Sequence, residues 1–398
     1  MITGLARLAG VVASTALLLA PGVAAAAPGP PLTVPAATLD ASLTCSPGID
    51  AATADPVVLV PAFSTDRESY GGNYLTDLPA RGIPVCSVSL ADRGFADLQT
   101  ATEHAVHAIR TAAARSGRRV RVLGHQHGAI DLLLALRFWP DLPPLVTDYV
   151  SLATPHQGTR FARDACGGGS CAPSVWQIAV GSALIGAMNR DRAPAGPAYT
   201  SITTAYDEVI TPQPAASQMA GARNITLQDV CPGRPVEHFS ILGDVLTRRL
   251  VLDAFTHPGP ADPGRLQDPC VDPPDEGRGG FSAESLTFVP SFAARNVSEA
   301  VPAEPALRCP FAATGCAPPP VPAACVSRRR FTVTVPRGAT RVRVTLGGRR
   351  LPVRARRAVV DLRGRRATTV TVRITGRTAG GRVLRQTRRF RTCVPGRS

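Results

Sequence analysis

The first part of the chain alternates short apolar runs with longer segments of helical periodicity. Residues 57–61 (VVLVP) and 83–90 (IPVCSVSL) are apolar runs with the length of buried strands. Over 96–117, apolar and small residues recur at helical spacing, and Gly117 follows as a C-cap. The positions that carry this period are Leu98, Ala101, Ala105, Ile109 and Ala112. The pattern predicts two strands followed by a helix.

The alternation continues to about residue 230. The predicted strands are 118–124 (RRVRVLG), 147–153, 199–212 and 224–230, and the predicted helices are 129–139 and 172–190. Ser174 and Gln177 have the spacing of a capping box at the start of the last helix. Strands that alternate with helices indicate βαβ units and a mostly parallel sheet.

The pattern changes near the C-terminus. Residues 257–324 are rich in Pro and Gly and have no sustained period, which is typical of a linker or irregular wrapping. After Cys325, polar and apolar residues alternate in short segments separated by Gly turns. These segments are RRFTVTVP, TRVRVTLGG, AVVDLRG, TTVTVRITGRT and RVLRQTRRF. They predict a small antiparallel β-sandwich that closes at Cys393.

The N-terminus predicts export. Arg7 precedes an apolar run, and small residues end near Ala27, as in a cleaved signal peptide. No second apolar stretch has the length of a bilayer span. Residues 28–44 then look like a loose leader. An oxidising compartment suits the ten cysteines, whose even number allows full pairing.

The cysteine spacing favours disulfides over a metal site. Cys166 and Cys171 enclose a short Gly-rich loop and are expected to pair locally, while a Cys325–Cys393 bond would tie the ends of the sandwich. Cys309 and Cys316 complete the set of half-cystines. No second close Cys pair with matching His spacing accompanies them, so neither a metal nor a cofactor is predicted.

The charge is concentrated at one end of the chain. The 398 residues carry a formal charge of +15, and all 44 basic residues are Arg, which a GC-rich coding bias explains. Residues 326–398 contain 22 Arg and one acid, Asp361, a balance of +21 that leaves −6 for the rest. The predicted export argues against nucleic acid as the partner of this positively charged region. The alternatives are an anionic cell-surface polymer or lipid, or simply a solvated face.

The segment VRVLGHQHGAIDLL (120–133) has the frame of a nucleophile elbow. Gly124 and Gly128 flank a central residue between a strand and an apolar helix, as the tight strand-turn-helix requires. The central residue, however, is Gln126, where a nucleophilic Ser is expected. Downstream, Asp207 follows a strand and His238 lies in a loop, which is the chain order of nucleophile, acid and base. Alternatively, these two residues are ordinary structural polar groups.

These motifs resemble the secreted lipases and esterases of the α/β-hydrolase fold, in the group of Candida antarctica lipase B and its actinobacterial relatives. The matching segments are VVLVP, CAPSVWQIAVGSAL, AYDEVITPQ, the DVC at 229–231 and VEHFS, with TPHQG similar to a motif of neighbouring bacterial lipases. The resemblance covers residues 43–275. It is carried mainly by the combination of APSVWQ with YDE-V-x-PQ.

The resemblance implies an α/β-hydrolase fold, with a mostly parallel sheet flanked by helices and a small C-terminal all-β sandwich appended. It implies hydrolysis of carboxylic esters or triacylglycerols, an acyl or ester ligand, and roles of Asp207 as acid and His238 as base. It also implies the disulfides Cys45–Cys86 and Cys231–Cys270. The expected organisation is a signal peptide (1–27), a leader (28–44), a hydrolase domain (45–275), a linker (276–324) and an Arg-rich sandwich (325–398).

Two departures from the family pattern affect the chemistry. A carboxamide at Gln126 is not a nucleophile, so no acyl-enzyme can form there. The oxyanion hole would use the backbone N–H of His127 and a second donor after the first strand, where PAFST places Phe63 or Ser64. The sequence therefore predicts a degenerate catalytic site.

Three interpretations of this site follow from the sequence. The chain is an inactive hydrolase, or a hydrolase whose nucleophile has moved, with Ser64, Ser151, Ser240 and His127 as the candidates. The third interpretation, from another functional class, is a binding protein that holds an acyl or ester ligand without cleaving it. Labelling by a fluorophosphonate would indicate a working serine nucleophile, and the absence of labelling would favour binding.

Overall fold

The structure is a computed structural model that describes residues 29–272, 283–313, 316, 325–327, 330–362, 369–391 and 393–395. It separates into two compact units, Met1–Cys316 and Ala317–Ser398. The predicted signal peptide lies outside the described residues. Among the described helices, none combines the length and the apolar character needed to cross a bilayer.

A seven-stranded sheet forms the centre of the first unit. Its strands are β1 (Leu43–Cys45), β2 (Val57–Val60), β3 (Val85–Val88), β4 (Val120–His125), β5 (Val146–Leu152), β6 (Ala198–Thr203) and β7 (Arg223–Thr226). They lie in the order β1-β3-β2-β4-β5-β6-β7. β1 runs antiparallel to β3, and every other pair is parallel. The predicted α/β fold with a mostly parallel sheet is confirmed.

Both faces of this sheet are buried. On β2, Val58 and Val60 belong to one apolar cluster, while Val57 and Leu59 belong to the cluster on the opposite face. A strand covered on both sides has no polar face, and it therefore appears in the sequence as the continuous run VVLV.

Ten helices and several shorter helical turns flank the sheet in the described part of this unit. The helices are α1 (Ala36–Ala41), α2 (Asp77–Ala80), α3 (Leu98–Ser116), α4 (His127–Phe138), α5 (Arg160–Ala165), α6 (Pro173–Ile178), α7 (Ala183–Met188), α8 (Leu227–Val230), α9 (Val245–Thr256) and α10 (Ala283–Ser298). The 3-10 turns are Ile49–Ala51, Arg67–Tyr70, Pro143–Leu145, Ala215–Ser217, Ser240–Leu242 and Pro263–Arg265, and Gly71–Thr76 is a π-helical turn.

The predicted helix over 172–190 is two helices, α6 and α7. Ala179 leaves the helical region, Gly181 has a φ of +85°, and Ser182 caps α7 by accepting the N–H of Ile185. The predicted capping box is also wrong. Gln177 is fully buried and instead contacts the start of α3, where Oε1 accepts the N–H of Leu98 at 2.8 Å. A local spacing rule could not detect a partner 79 residues away in the chain.

The predicted loose leader is ordered from Gly29. Glu103, almost fully buried, accepts the N–H groups of Thr33 and Val34. Further on, α1 leads into β1, which adds an antiparallel edge strand to the sheet. Glu103 lies on α3, so its role in holding residues 33 and 34 depends on contacts remote in the sequence.

Two further segments differ from prediction. The Pro- and Gly-rich linker contains the 16-residue helix α10, whose own sequence has no Gly although its surroundings do. The predicted strands 199–212 and 224–230 end earlier, at Thr203 and Thr226. The second of these continues as α8.

Four disulfides join cysteines of the first unit. Cys45–Cys86 and Cys231–Cys270 confirm the pairings implied by the family resemblance, and Cys166–Cys171 confirms the pairing expected from spacing. Cys309 pairs with Cys316. The predicted Cys325–Cys393 bond concerns side chains that lie outside the described part of the chain.

The second unit consists of separate antiparallel sheets. Its strands are β8 (Cys325–Ser327), β9 (Arg330–Thr334), β10 (Thr340–Leu346), β11 (Arg349–Leu351), β12 (Val353–Arg354), β13 (Arg357–Asp361), β14 (Thr369–Arg377), β15 (Val383–Arg391) and β16 (Cys393–Pro395). One sheet has the order β11-β10-β14-β15 and another β12-β13-β9, while β16 pairs with β8. An apolar cluster between the two larger sheets includes Val333, Val344, Val360, Val372 and Ile374.

Candidate active site

The sharp turn between β4 and α4 places Gln126 at its apex. Gln126 has φ 51° and ψ −122°, a conformation that residues with a Cβ rarely adopt. Its N–H donates to the carbonyl of Leu152 at 2.9 Å, which ties the turn to the end of β5. The backbone is therefore that of a nucleophile elbow, although a carboxamide occupies its centre.

The two flanking glycines are needed for steric reasons. A Cβ on Gly124 would lie 2.3 Å from the backbone nitrogen of Ala129. A Cβ on Gly128 would lie 2.2 Å from the carbonyl oxygen of Val60. Because both obstacles are backbone atoms, neither contact could be relieved by a side-chain rotation.

Asp207 and His238 lie together at the same end of the sheet. The Nδ1–H of His238 donates to both carboxylate oxygens of Asp207 at 3.0 Å. Asp207 Oδ1 also accepts the N–H groups of Val209 and Ile210, which fixes the orientation of the carboxylate. His125, next to Gln126, donates its Nε2–H to the carbonyl of His238 at 3.1 Å. The pair therefore lies beside the elbow.

Charges around His238 favour its protonated form. Burial of the ring opposes protonation, but the charge of Asp207, the hydrogen bond to it, and the charges of Glu208 and Glu237 together raise the pKa of His238. For His125, burial and the neighbouring His238 hold the pKa well below its usual range. Of the two neighbouring histidines, His238 is therefore protonated more readily than His125.

Several buried polar atoms at the elbow have no hydrogen-bond partner among the described residues. They include Nε2 and Oε1 of Gln126, Nε2 of His238, Nε2 of His127 and Nδ1 of His125. Gln126, His127 and His238 have no exposed surface. Since native proteins pair nearly all buried polar groups, a cluster of unpaired ones indicates a place for a polar ligand or water.

His127 occupies the first helical position of α4, where the backbone N–H has no partner within its own helix. Its ring stacks on Phe63, with centroids 5.7 Å apart, and its Nδ1 contacts Asp131 Oδ2 at 3.2 Å. Burial raises the pKa of Asp131 to about 6. The two residues expected to supply the oxyanion donors, His127 and Phe63, thus lie side by side at the turn.

The alternative serines have different environments. Ser151 contacts His156 Nε2 at 3.0 Å, and Ser240 accepts the N–H of Glu237, so both belong to local structural hydrogen bonds. Ser64 has a φ of +63°, and its buried hydroxyl lacks a partner within the described chain. Among the three, Ser64 is the one whose environment fits a displaced nucleophile.

Helix α10 covers the aromatic side of the site. Phe292 lies 5.6 Å from Phe63, 6.1 Å from Phe95 and 5.2 Å from Phe161, measured between ring centroids. A cavity of about 490 Å³ adjoins this cluster and is lined by Phe161, Phe292 and Glu208, among others. Glu208 Oε2 also accepts the N–H of His238 at 3.2 Å, so the cavity ends next to the His238 backbone.

Sequence reasoning missed several contributors to this site. Asp131 is four residues after His127, a spacing that places both on one face of a helix and could have indicated their contact. Glu208 lies directly after Asp207 in YDE and could have been noticed as a second carboxylate. Phe292 could not have been assigned, because its helix comes from a segment interpreted as an irregular linker.

A second candidate surface lies on the four-stranded sheet of the C-terminal unit. On its exposed face, Arg and Thr lie opposite each other in six pairs of the described register, while Arg377 lies between Thr340 and Val383. The pairs are Arg343–Thr375, Arg350–Thr345, Arg373–Thr345, Arg373–Thr387, Arg385–Thr375 and Arg389–Thr371. We call these residues the Arg/Thr face. Like charges directly across two strands are destabilising, and this alternation avoids them while keeping the face positive.

The fold and the elbow define the class of protein. A mostly parallel sheet, a strand-turn-helix with glycines on both sides of its apex, and an Asp–His pair beside it are the features of an α/β-hydrolase. No protein-family model matches the chain.

Two comparisons relate the chain to lipases. It is 30% identical over 210 residues to lipase B of Pseudozyma antarctica, an alignment that covers 51% of this chain and 61% of that protein. It is also similar to the crystal structure of Aspergillus fumigatus lipase B, with a TM-score of 0.63, 25% identity, and coverage of 72% of this chain and 74% of that one. The chain is therefore similar to the lipase B group of α/β-hydrolase lipases and esterases, and it has their fold. The sequence alignment spans less than two thirds of lipase B.

Proposed function

We propose that this chain is an exported lipase-like protein that does not hydrolyse esters and that instead binds an acyl ligand at the former catalytic site. The observation that carries the proposal is Gln126 at the apex of the elbow, with both polar atoms of its carboxamide buried and unpaired in the described structure. In the proposed ancestral arrangement, Asp207 orients His238 and His238 accepts a proton from the residue at position 126.

The residues around Gln126 support a loss of chemistry with retention of the cleft. His238 has a base nitrogen, Nε2, with no described partner, and His127 is the first residue of α4, where the backbone N–H has no acceptor within the helix. A nucleophile is the missing element. In a triad that acts as a unit, loss of the serine alone costs on the order of a millionfold in rate.

The test is hydrolysis of short- and long-chain nitrophenyl esters by the wild type, Gln126→Ser and Gln126→Ala. We expect the wild type and Gln126→Ala to show no ester hydrolysis above the rate in buffer. Gln126→Ser should exceed the wild type by at least about a hundredfold, since the serine hydroxyl regains a base and an oxyanion donor. Gln126→Ala is the matched control, because it removes the carboxamide without adding a hydroxyl.

Turnover by the wild type would contradict the proposal. In that case, labelling with a fluorophosphonate followed by peptide mapping identifies the reacting residue. A label on Ser64, lost in Ser64→Ala together with turnover, would mean that the nucleophile has moved to the strained position after β2. The observation that favours this alternative is the unpaired hydroxyl of Ser64, on the loop where Phe63 stacks on the His127 of a His–Asp pair.

We also propose export, with cleavage of a signal peptide near Ala27. The four disulfides of the first unit support it, since such bonds persist in oxidising compartments.

The C-terminal unit is proposed to hold the protein on an anionic cell-surface polymer through the Arg/Thr face. This proposal is supported by the charge of +21 over residues 326–398 and by the absence of any acidic residue from the sequences of the four strands that form the face. Salt-dependent retention on an anionic polymer is the measurement that checks it.

A further inference from the structure

The unpaired atoms around Gln126 form a specific pattern of donors and acceptors. Because His238 donates its Nδ1–H to Asp207, its Nε2 is an acceptor whenever the ring is neutral. The Gln126 carboxamide adds one acceptor, Oε1, and one donor group, the Nε2 amide. A ligand head that pairs Nε2 of His238 and the amide of Gln126 must donate to the first and accept from the second.

We propose that the unpaired polar atoms of Gln126 and His238 bind the head group of a free carboxylic acid with an apolar tail in preference to the corresponding ester. The acid hydroxyl donates to His238 Nε2, and its carbonyl oxygen accepts from the Gln126 amide. An ester head has acceptors only and would leave Nε2 of His238 buried without a partner, which costs free energy. This inference rests on the proposed function, because it names the ligand class of the same site.

The charges that face His238 favour one shared proton in the complex. The complex can be a neutral acid beside a neutral imidazole or a carboxylate beside an imidazolium. These two forms contain the same number of protons and differ only in which partner holds the shared one. Asp207, Glu208 and Glu237 surround His238 and raise its pKa against the effect of burial. A carboxylate that brought no proton would be repelled by the same three groups. His125, whose ring centroid is 4.8 Å from that of His238, has a lowered pKa and adds no competing cation.

The apolar tail has a volume to occupy. The cavity of about 490 Å³ lies within the roughly 300–1,000 Å³ typical of small-molecule sites. Its lining is mostly apolar, with Phe161, Ala165, Phe292 and Ala293, and it also includes Asp164, Thr211 and Glu208. We place the tail in this cavity because Glu208 also accepts the backbone N–H of His238, whose ring would bind the head group.

The experiment measures the binding of decanoic acid, methyl decanoate and decan-1-ol to the mature full chain by calorimetry. We expect decanoic acid to bind at least about tenfold more tightly than methyl decanoate, because the ester leaves a buried acceptor unpaired. His238→Phe removes the acceptor that an ester leaves unpaired, so it should reduce the preference for the acid to near one, whereas Gln126→Met should weaken binding of the acid and of the ester alike. Gln267→Met, at an exposed position, is the matched control and should retain the wild-type preference.

Proton uptake is a second readout that does not depend on any variant. Above the pKa of His238, a carboxylate must take up a proton as it binds, so titrations in buffers of different ionisation enthalpy should report uptake that approaches one proton per ligand. For the same reason, the affinity for decanoic acid should fall about tenfold per pH unit in that range. Decan-1-ol should bind without proton uptake.

The outcomes separate this inference from the proposed function. Equal or tighter binding of methyl decanoate or decan-1-ol, without hydrolysis, would overturn the assignment of a carboxylic acid and leave the binding role intact. Binding of decanoic acid without proton uptake would also overturn it. Hydrolysis of methyl decanoate by the wild type would overturn the proposed function, and failure of all three ligands to bind would overturn both.

Discussion

Gln126 is held in a backbone conformation that costs on the order of 1–3 kcal/mol for a residue with a Cβ. That strain is usually explained by the need to present a nucleophile, which Gln126 is not. The two glycines that permit the turn are nevertheless present, and the turn is buried together with most of the strand and helix around it. The turn is therefore maintained by packing, and a carboxamide lies where the sheet would present a reactive group.

Replacement of Gly128 by Ala tests how tightly the turn is packed. The new Cβ would lie 2.2 Å from the carbonyl oxygen of Val60, a backbone atom of β2. We expect Gly128→Ala to lower the free energy of unfolding by about 1–3 kcal/mol or more, as overpacking in a buried site does. Thermal and denaturant unfolding, followed by circular dichroism, measure the change.

Gly186→Ala is the matched control for this substitution. Gly186 lies within α7, and a Cβ there would meet no atom within 4 Å. Alanine in a helix interior is favoured over glycine by roughly 0.5–1 kcal/mol, so this variant should be neutral or slightly more stable than the wild type. If Gly128→Ala unfolds at the same temperature as Gly186→Ala, the close approach of the turn to β2 is not a constraint.

At the scale of the element, prediction succeeded where the pattern is local. α3 was predicted from its apolar period and the C-cap Gly117, and it spans Leu98–Ser116. The buried strands β2 and β3 were predicted from apolar runs, and β4 and β5 from their alternation with predicted helices. Two of the failures share one physical cause, which is hydrogen bonds made to distant parts of the chain. Gln177 was assigned to its own helix but caps another, and Glu103 orders residues that composition alone makes look loose.

For the site, the sequence provided the elbow from its glycines and Asp207 and His238 from their order along the chain. It could not provide the unpaired state of the Gln126 carboxamide, because that is a property of the folded surroundings. Nor could the sequence show that Phe292 of α10 packs against Phe63, since this contact arises only from tertiary packing. Local periodicity locates elements, whereas the polarity of a closed pocket depends on which elements meet there.

Gln177 gives a quantitative prediction at this scale. Its Oε1 accepts the N–H of Leu98, and its Nε2 donates to Asp97 Oδ1 at 2.6 Å, so it links α6 to the first turn of α3. Gln177→Met would leave a buried backbone N–H without its partner, and we expect a loss of about 1–3 kcal/mol in the free energy of unfolding. Chemical denaturation measures it, with the exposed Gln267→Met as a neutral reference. Equal stability of the two variants would show that the link between α6 and α3 contributes nothing.

For the whole molecule, charge divides along the chain in the same way as the fold. Residues 326–398 carry +21, while the remainder carries −6. On the Arg/Thr face of the positive unit, the paired Arg side chains lie opposite Thr rather than opposite one another. A coding bias accounts for Arg in place of Lys, but it does not account for this register. The arrangement gives a positive sheet face of the kind that a linear anionic polymer can follow, while the acyl site proposed above lies in the first unit.

Retention on immobilised polyphosphate tests the attachment of the mature full chain. We expect elution only well above roughly 0.15 M salt, because many weak ionic contacts with a polymer are screened together. Arg373→Gln with Arg385→Gln should elute at clearly lower salt, since both residues lie within the Arg/Thr face. Arg190→Gln with Arg192→Gln changes the net charge equally, at exposed positions of the first unit, and should elute like the wild type.

Equal shifts for both double variants would mean that net charge alone determines retention. Elution of the wild type at or below 0.15 M salt would make the Arg/Thr face an ordinary solvated surface.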